Sequence, residues 1–272
     1  MKVAIQGIKG SFHHIVAESY FGKNIDLIEC LSFSEMPKLL HTKKAEVIIM
    51  AIENTIAGAI LPNYALIDTN NLTICGEHHL PIHHNLMVLN GQKIEDIKEV
   101  YSHPMALLQC HEFFKKHPHI KLIEDKDTAD VARRIQENQL KGIGAIASKM
   151  AAEIYDLTIL APNIQTIKEN STRFFILTKS ENKSSVSANK ASIKFITGHK
   201  EGSLAEVLTI LANHELNLSK IQSMPIIDKP WSYAFFADFI FKNYADYYNA
   251  LNEVKDKVEI LQVLGEYNKG KR

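Results

Sequence analysis

Short apolar runs rich in β-branched side chains alternate with segments whose apolar positions recur at helical spacing: residues 3–6 then 12–21, 27–30 then 34–41, and 47–52 then a helical piece from Asn54. This rhythm predicts β-α-β units on a largely parallel sheet. Residues 72–89 interrupt it as a long extended stretch broken by Pro81. Strands over 99–102, 121–124 and 143–147, alternating with helices over 106–116, 128–137 and 149–155, then restore it. Two α/β lobes joined by extended crossings fit this layout, the second inserted in the first, with the chain returning near Ile164 and a ligand cleft between the lobes.

Residues 180–189 are polar and serine-rich, the composition of a flexible connector. Beyond them the pattern reads as strand 191–197, helix 203–215, strands near 218–227 and over 233–241, helix 245–256 and strand 258–264. In the first of these helices Leu204, Val207, Leu208 and Leu211 recur at helical spacing. The order β-α-β-β-α-β is that of a ferredoxin-like sandwich. The expected boundaries are a first domain over 1–180, with lobe 1 at about 1–77 plus 163–180 and lobe 2 at about 78–162, a linker over 181–190, and a second domain over 191–272.

Composition narrows the ligand. Of 272 residues 46% are hydrophobic and 23% charged, the balance of a globular chain rather than a disordered one. Acidic and basic residues number 31 each, which argues against nucleic acid or an anionic membrane as the main partner and points to a small molecule. The start of the chain carries no leader-like segment and no apolar run is long enough to span a bilayer, so a cytoplasmic location is expected. Cys30, Cys75 and Cys110 lack the spacing of a zinc site or disulfide framework and are expected to be reduced thiols.

Several polar groups fall at strand-to-helix junctions. Gly7-Ile8-Lys9-Gly10-Ser11-Phe12 follows the first strand, where backbone amides can receive an anion or the glycines can simply make a tight turn. Asn54 and Thr55 end another strand and suit a helix cap or a ligand contact. Ser102-His103-Pro104, with Gln109 and Cys110, sits at a third junction. In open α/β sheets such strand ends face the ligand. A nucleophile and base pair of Cys110 or Ser102 with His103 competes with this reading, and the apolar packing needed by the following helix speaks against it. His78-His79 and His83-His84 invite a metal reading, but strand alternation sends adjacent histidines to opposite faces and Pro81 disrupts the registry, so no metal is expected. Glu169-Asn170-Ser171-Thr172-Arg173-Phe174 brings a hydroxyl, a guanidinium and an aromatic ring together just before the linker.

Taken in order, these segments resemble the prephenate dehydratases, enzymes of phenylalanine biosynthesis. Gly7 to Phe12 is similar to the family's glycine motif, Ile52-Glu53-Asn54-Thr55 to its Glu-Asn-Ser segment, and Leu80-Pro81-Ile82 with His84 and Leu86 to its Leu-Pro-Ile-x-His-x-Leu crossing. Ser102-His103-Pro104 with Ala106, Leu107, Gln109 and Cys110 resembles the Ser-His-Pro helix start. Gly144-Ala145-Ile146-Ala147-Ser148 with Ala151 and Ala152 resembles its alanine-rich strand and helix, and Asn170 with Thr172-Arg173-Phe174 its Thr-Arg-Phe signature. The C-terminal unit is similar to an ACT domain: Gly202-Ser203-Leu204 stands for Gly-Ala-Leu, and Gln222-Ser223-Met224-Pro225 for Glu-Ser-Arg-Pro without its two charges.

The resemblance implies a two-lobed, periplasmic-binding-protein-like catalytic domain followed by a βαββαβ ACT domain. It also implies a carbon–oxygen lyase that converts prephenate to phenylpyruvate without a cofactor. Thr172, Asn54, Ser102 and Gln109 are then the catalytic candidates, and Ser11, Phe12, Thr55, Arg173 and Phe174 the substrate-binding ones. For Arg173 two readings stand, a bidentate carboxylate clamp and an outward ion pair. Gly202, Ser203, Leu204, Gln222, Ser223, Met224 and Pro225 would hold L-phenylalanine as a feedback ligand, with the swaps to Gln222 and Met224 leaving feedback open. A homodimer or homotetramer paired through the ACT units is expected, as is a monofunctional chain. Arogenate dehydratase, a non-catalytic amino-acid sensor and a two-lobed solute receptor are the alternatives.

Overall fold

The computed structural model describes residues 1–179, 187–226 and 229–270. Most of the expected linker, residues 181–186, therefore lies outside the described residues, as does residue 227 at the expected end of a strand. The chain divides into two compact units, Met1–Ile60 with His79–Phe174, and Leu61–His78 with Phe175–Arg272.

The elements run β1 (Lys2–Gln6), α1 (Phe12–Phe21), β2 (Asp26–Cys30), α2 (Met36–His41), β3 (Val47–Asn54), β4 (Gly58–Ala59), α3 (Leu61–Thr69), β5 (Thr73–Pro81) and β6 (Asn85–Val88). They continue as β7 (Glu99–Ser102), α4 (Pro104–Gln109), α5 (His111–Phe114), β8 (Lys121–Glu124), α6 (Thr128–Glu137), β9 (Ile143–Ala147), α7 (Lys149–Ile154), β10 (Thr158–Ala161) and β11 (Ser171–Thr178). The C-terminal set is β12 (Lys190–Thr197), α8 (Ser203–Asn213), β13 (Asn217–Pro225), β14 (Tyr233–Ile240), α9 (Tyr244–Lys255) and β15 (Val258–Tyr267).

One sheet has the order β2-β1-β3-β11-β5, with β4 paired to β3, and β1 lies parallel to both β2 and β3. Val3, Ala4, Ile5, Ile48, Ile49 and Met50 are fully buried, the near-continuous apolar run that central parallel strands require. A second sheet, β10-β6-β9-β7-β8, lies wholly within the first unit and mixes parallel β7-β8 and β7-β9 pairs with antiparallel β6-β9 and β10-β6 pairs. Leu86, Val100 and Ile146 pack one face of it with Ala106 and Leu107 of α4, while Met87, Ala145 and Ala147 pack the other with Val131, Ala132 and Ile135 of α6.

The two lobes of this unit meet at the loop after β1. Gly10 has φ +87°, and a Cβ there would lie 2.9 Å from Ala151 Cα of α7, so both the turn and the close approach require glycine. Ser148 Oγ donates to the Gly10 carbonyl at 2.6 Å, and Tyr155 OH to that of Lys9 at 2.8 Å.

The expected helix from Asn54 does not form. Asn54 Oδ1 instead accepts from the amides of Ile56 and Ala57, and the turn returns the chain as β4, where Gly58 faces Asn54 and Ala59 faces Glu53. Helix begins only at Leu61. Strand β10, for which the apolar pattern gave no expectation, pairs with β6.

In the second unit β12-α8-β13-β14-α9-β15 form an antiparallel sheet of order β13-β14-β12-β15 around Phe195, Phe239, Val207, Leu211 and Tyr247, the βαββαβ layout expected. Residues 61–78 are part of this unit. Lys190 Nζ lies 2.8 Å from Glu77 Oε2, both groups buried, and Lys194 Nζ lies 2.7 Å from Asp68 Oδ2. Tyr64 packs on Phe236 with ring centroids 5.2 Å apart. At the β15 bulge, Gly265 comes so close to Ile74 that a Cβ would overlap its carbonyl oxygen. Among the described residues no helix is long and apolar enough to cross a membrane.

Candidate active site

The site builds outward from the end of β3. Backbone amides can only donate, so the Oδ1 of Asn54, which accepts from Ile56 and Ala57, is fixed as oxygen and its Nδ2 as donor. That Nδ2 lies 2.7 Å from Asn170 Oδ1, 2.9 Å from Thr172 Oγ1 and 3.3 Å from the Ser171 carbonyl. Asn170 Oδ1 is therefore the acceptor and its Nδ2 donates to Gln109 Oε1 at 2.9 Å. His84 Nε2 completes the chain at 2.9 Å from the same Gln109 oxygen.

Thr172 thus accepts a hydrogen bond from Asn54, and its own proton has no acceptor among the described residues. The side chain is 8% exposed. Strand parity explains the grouping: Asn170 enters β11 and Thr172 lies two positions on, so both face the same side, with Phe174 next in line. Phe174 is buried and meets His13 edge-on at 4.9 Å.

The intervening Arg173 takes the opposite parity, as Glu53 does relative to Asn54. Its Nη1 lies 3.9 Å from Glu53 Oε2, and the residue is buried. Thr55 ties the strands together: its amide donates to the Ser171 carbonyl at 2.9 Å and its Oγ1 accepts from the Ser171 amide at 3.0 Å.

Ser11 caps α1, accepting from the His14 amide at 3.3 Å, while the Gly10 amide donates to His14 Nδ1 and so is already engaged. Phe12, half-buried, meets His84 edge-on with centroids 5.7 Å apart. Ser102 is fully buried at the end of β7 and donates to the Ile146 carbonyl at 2.7 Å, a bond within its own sheet. Asn54, Gln109 and Thr172 are therefore joined by one network, Phe12 meets it at His84, Phe174 packs on His13, and the Ser102 hydroxyl donates to Ile146.

Two members of the network, Asn170 and His84, lie outside the expected catalytic and substrate-binding sets. The available signal for Asn170 was parity, since an amide two residues before Thr172 shares its face. His84 carried none, because its partner lies 25 residues away on another element. Cys110 is buried and its thiol pKa is pushed up to about 12 by burial, which leaves no thiolate to act as a nucleophile.

Burial lowers the His13 pKa from 6.5 to about 3 and that of His84 to about 4, so both rings are neutral at physiological pH. Below the unfolded value near 6.5 the unfolded chain binds protons that the folded chain refuses. Stability is accordingly full above that pH and falls as the pH drops towards the folded values. Unfolding midpoints across a buffer series are expected to decline between about pH 6.5 and pH 4, each histidine contributing up to about 1.4 kcal/mol per pH unit. His13→Gln should flatten the slope, and a profile unchanged by it would show that His13 does not contribute.

In the second unit a groove of about 860 Å³ is lined by Gly202, Ser203 and Leu204 together with Trp231, Tyr233 and Phe235. Gln222 to Pro225 do not line it. They occupy the edge strand β13, where Met224 pairs with Ala234 and Pro225 with Tyr233.

The prephenate dehydratase family profile matches residues 3–182. Over 271 residues the chain is 35% identical to the bifunctional chorismate mutase/prephenate dehydratase of Aquifex aeolicus (strain VF5), an alignment covering 99% of this chain and 74% of that protein. It is 34% identical over 284 residues to arogenate dehydratase 2 of Petunia hybrida, with 98% and 71% covered. Among solved structures, the prephenate dehydratase of Staphylococcus aureus subsp. aureus Mu50 shares the fold with a TM-score of 0.85 at 24% identity, over 98% of this chain and 100% of that one. GqqA, described as a novel type of quorum quenching acylase, superposes with a TM-score of 0.89 at 25% identity, over 99% and 98%. With its two-lobed α/β fold, its C-terminal βαββαβ unit and a family match that spans the amide network around Thr172, the chain belongs to the prephenate dehydratase family.

Proposed function

We propose that the chain catalyses the decarboxylating dehydration of prephenate to phenylpyruvate. The observation that carries this reading is the hydroxyl of Thr172, which accepts from Asn54 and keeps its proton for a ligand. In the reaction the bond to the ring carboxylate breaks, its electrons move into the ring, and the hydroxyl on the opposite ring carbon departs. Carbon dioxide and, with a proton from solvent, water leave, and aromaticity supplies the driving force. The leaving oxygen gains negative charge as its bond stretches, and a fixed donor stabilises that charge more than it stabilises the ground state.

Thr172 is that donor. Asn54 orients it, and Gln109 offers its free amide N–H groups to substrate oxygen. Ser11 binds a carboxylate with its hydroxyl at the start of α1, while Phe12 and Phe174 give the cleft apolar walls that favour loss of a charged carboxylate. Arg173 and Thr55 hold the ends of β3 and β11 in place, and Ser102 braces the second sheet.

The C-terminal domain is read as a regulatory module that takes phenylalanine in the groove beside Gly202, Ser203 and Leu204. Pairing of these domains would make a dimer or tetramer, and the location is cytoplasmic. The similarity to arogenate dehydratase 2 favours one second reading, in which the substrate side chain carries an amino group.

The test mixes purified chain with prephenate, and separately with arogenate, at neutral pH with and without phenylalanine. Phenylpyruvate from prephenate, slowed by phenylalanine, is the expected result. Phenylalanine formed from arogenate alone would reassign the substrate, and no turnover of either would leave a non-catalytic sensor.

A further inference from the structure

We propose that His84 is a positioning residue whose Nε2–H locks the side-chain amide of Gln109 with its oxygen turned inward and its NH2 presented to the ligand. The proposal rests on the reading of the Thr172 network as a dehydratase site.

The polarity of the network follows from fixed donors. Starting from the amides of Ile56 and Ala57, each contact determines the next: Asn54 Oδ1 is oxygen, Asn54 Nδ2 donates to Asn170 Oδ1, and Asn170 Nδ2 donates to Gln109 Oε1. Only a protonated Nε2 on His84 can then lie 2.9 Å from that oxygen as a partner. The ring is neutral, so its Nδ1 is bare, and this atom is buried without a hydrogen-bonding partner among the described residues. The other tautomer would bury an N–H with no acceptor and set two lone pairs against each other, each a substantial cost.

The ring is also held in place. The His84 amide donates to Gln165 Oε1 at 3.0 Å, its carbonyl accepts from Ile164 at 2.8 Å, and Phe12 meets its edge. With Gln109 Oε1 accepting from two sides, the amide cannot flip without losing both bonds. Its NH2, which meets no partner among the described residues, remains free as a donor. His84 touches no reacting atom in this scheme and acts through Gln109.

The test is a double-mutant cycle with a spectroscopic check. His84→Leu is expected to lower kcat/KM for the active substrate about 10- to 100-fold, the scale of a misplaced contact near the chemistry. His84→Gln, which returns an N–H at similar reach, should recover most of it. In a Gln109→Ala background His84→Leu should cost little more. Additive losses, or no rescue by glutamine, would overturn the proposal. Nitrogen-15 spectra of the imidazole in the full chain should show a neutral Nε2–H tautomer at neutral pH, and an Nδ1–H or charged ring would likewise overturn it. This spectrum needs no turnover, so failure of the dehydratase reading would be seen separately, as a wild-type chain inert on prephenate and arogenate.

Discussion

Thr172→Ala is expected to lower kcat on prephenate on the order of a hundredfold or more, the scale of removing one preorganised transition-state donor. The folded structure should survive, because Asn54 Nδ2 retains Asn170 Oδ1 and the Ser171 carbonyl as acceptors when the threonine oxygen is removed. Thr172→Ser keeps a hydroxyl on the same Cβ and should hold most of the activity. In the proposed role the hydroxyl's bond strengthens as charge develops on the leaving oxygen, so the loss should appear in kcat more than in KM. Steady-state kinetics, paired with a thermal melt of each variant, measure this directly. Turnover by Thr172→Ala within a few-fold of wild type would remove the hydroxyl from the mechanism and leave the amides to carry it.

The second large effect concerns stability. Gly265→Val is expected to destabilise the C-terminal unit by about 3 kcal/mol or more, because the new Cβ would overlap the Ile74 carbonyl, a backbone atom held within β5. A flexible side chain could rotate away, whereas this oxygen moves only if the strand moves. The bulge in β15 beside Gly265 narrows the options further, since its register with β12 is set on both sides. Calorimetry of the full chain should show the melting temperature lowered on the order of 10 °C. A melt indistinguishable from wild type would mean that β5 and β15 separate at little cost.

Regular elements were the legible part of this sequence. The expected helix over 12–21 matches α1 residue for residue, because Ser11 supplies a cap and Gly22 a stop, and the expected strand over 99–102 matches β7 equally well. The same reasoning failed at Asn54, where a good capping residue folds back a turn of strand instead of starting a helix. Side-chain chemistry alone does not distinguish those outcomes, since the same oxygen satisfies the same two amides in either.

The candidate site was legible as a set of types but not as a network. Asn54 reaches Asn170 across 116 residues, and Asn170 reaches Gln109 across 61, distances at which spacing carries no information. Strand parity does carry some. It separates Arg173 from Thr172 and joins Thr172 to Asn170, and it accounts for the pairing of Arg173 with Glu53 once β3 is known to end at Asn54.

The placement of residues 61–78 bears on how such proteins can be recombined. A fragment ending at residue 180 would discard the ammonium that neutralises Glu77, the ring against which Tyr64 lies and the strand that covers Ile74. Tyr64 and Ile74, buried in the whole chain, would then face water, at about 1.5–3 kcal/mol for each apolar side chain fully uncovered. Moving the second unit from one relative onto another therefore calls for two matched pieces of sequence, one of them interior to the host, rather than a single splice in the polar stretch near residue 180.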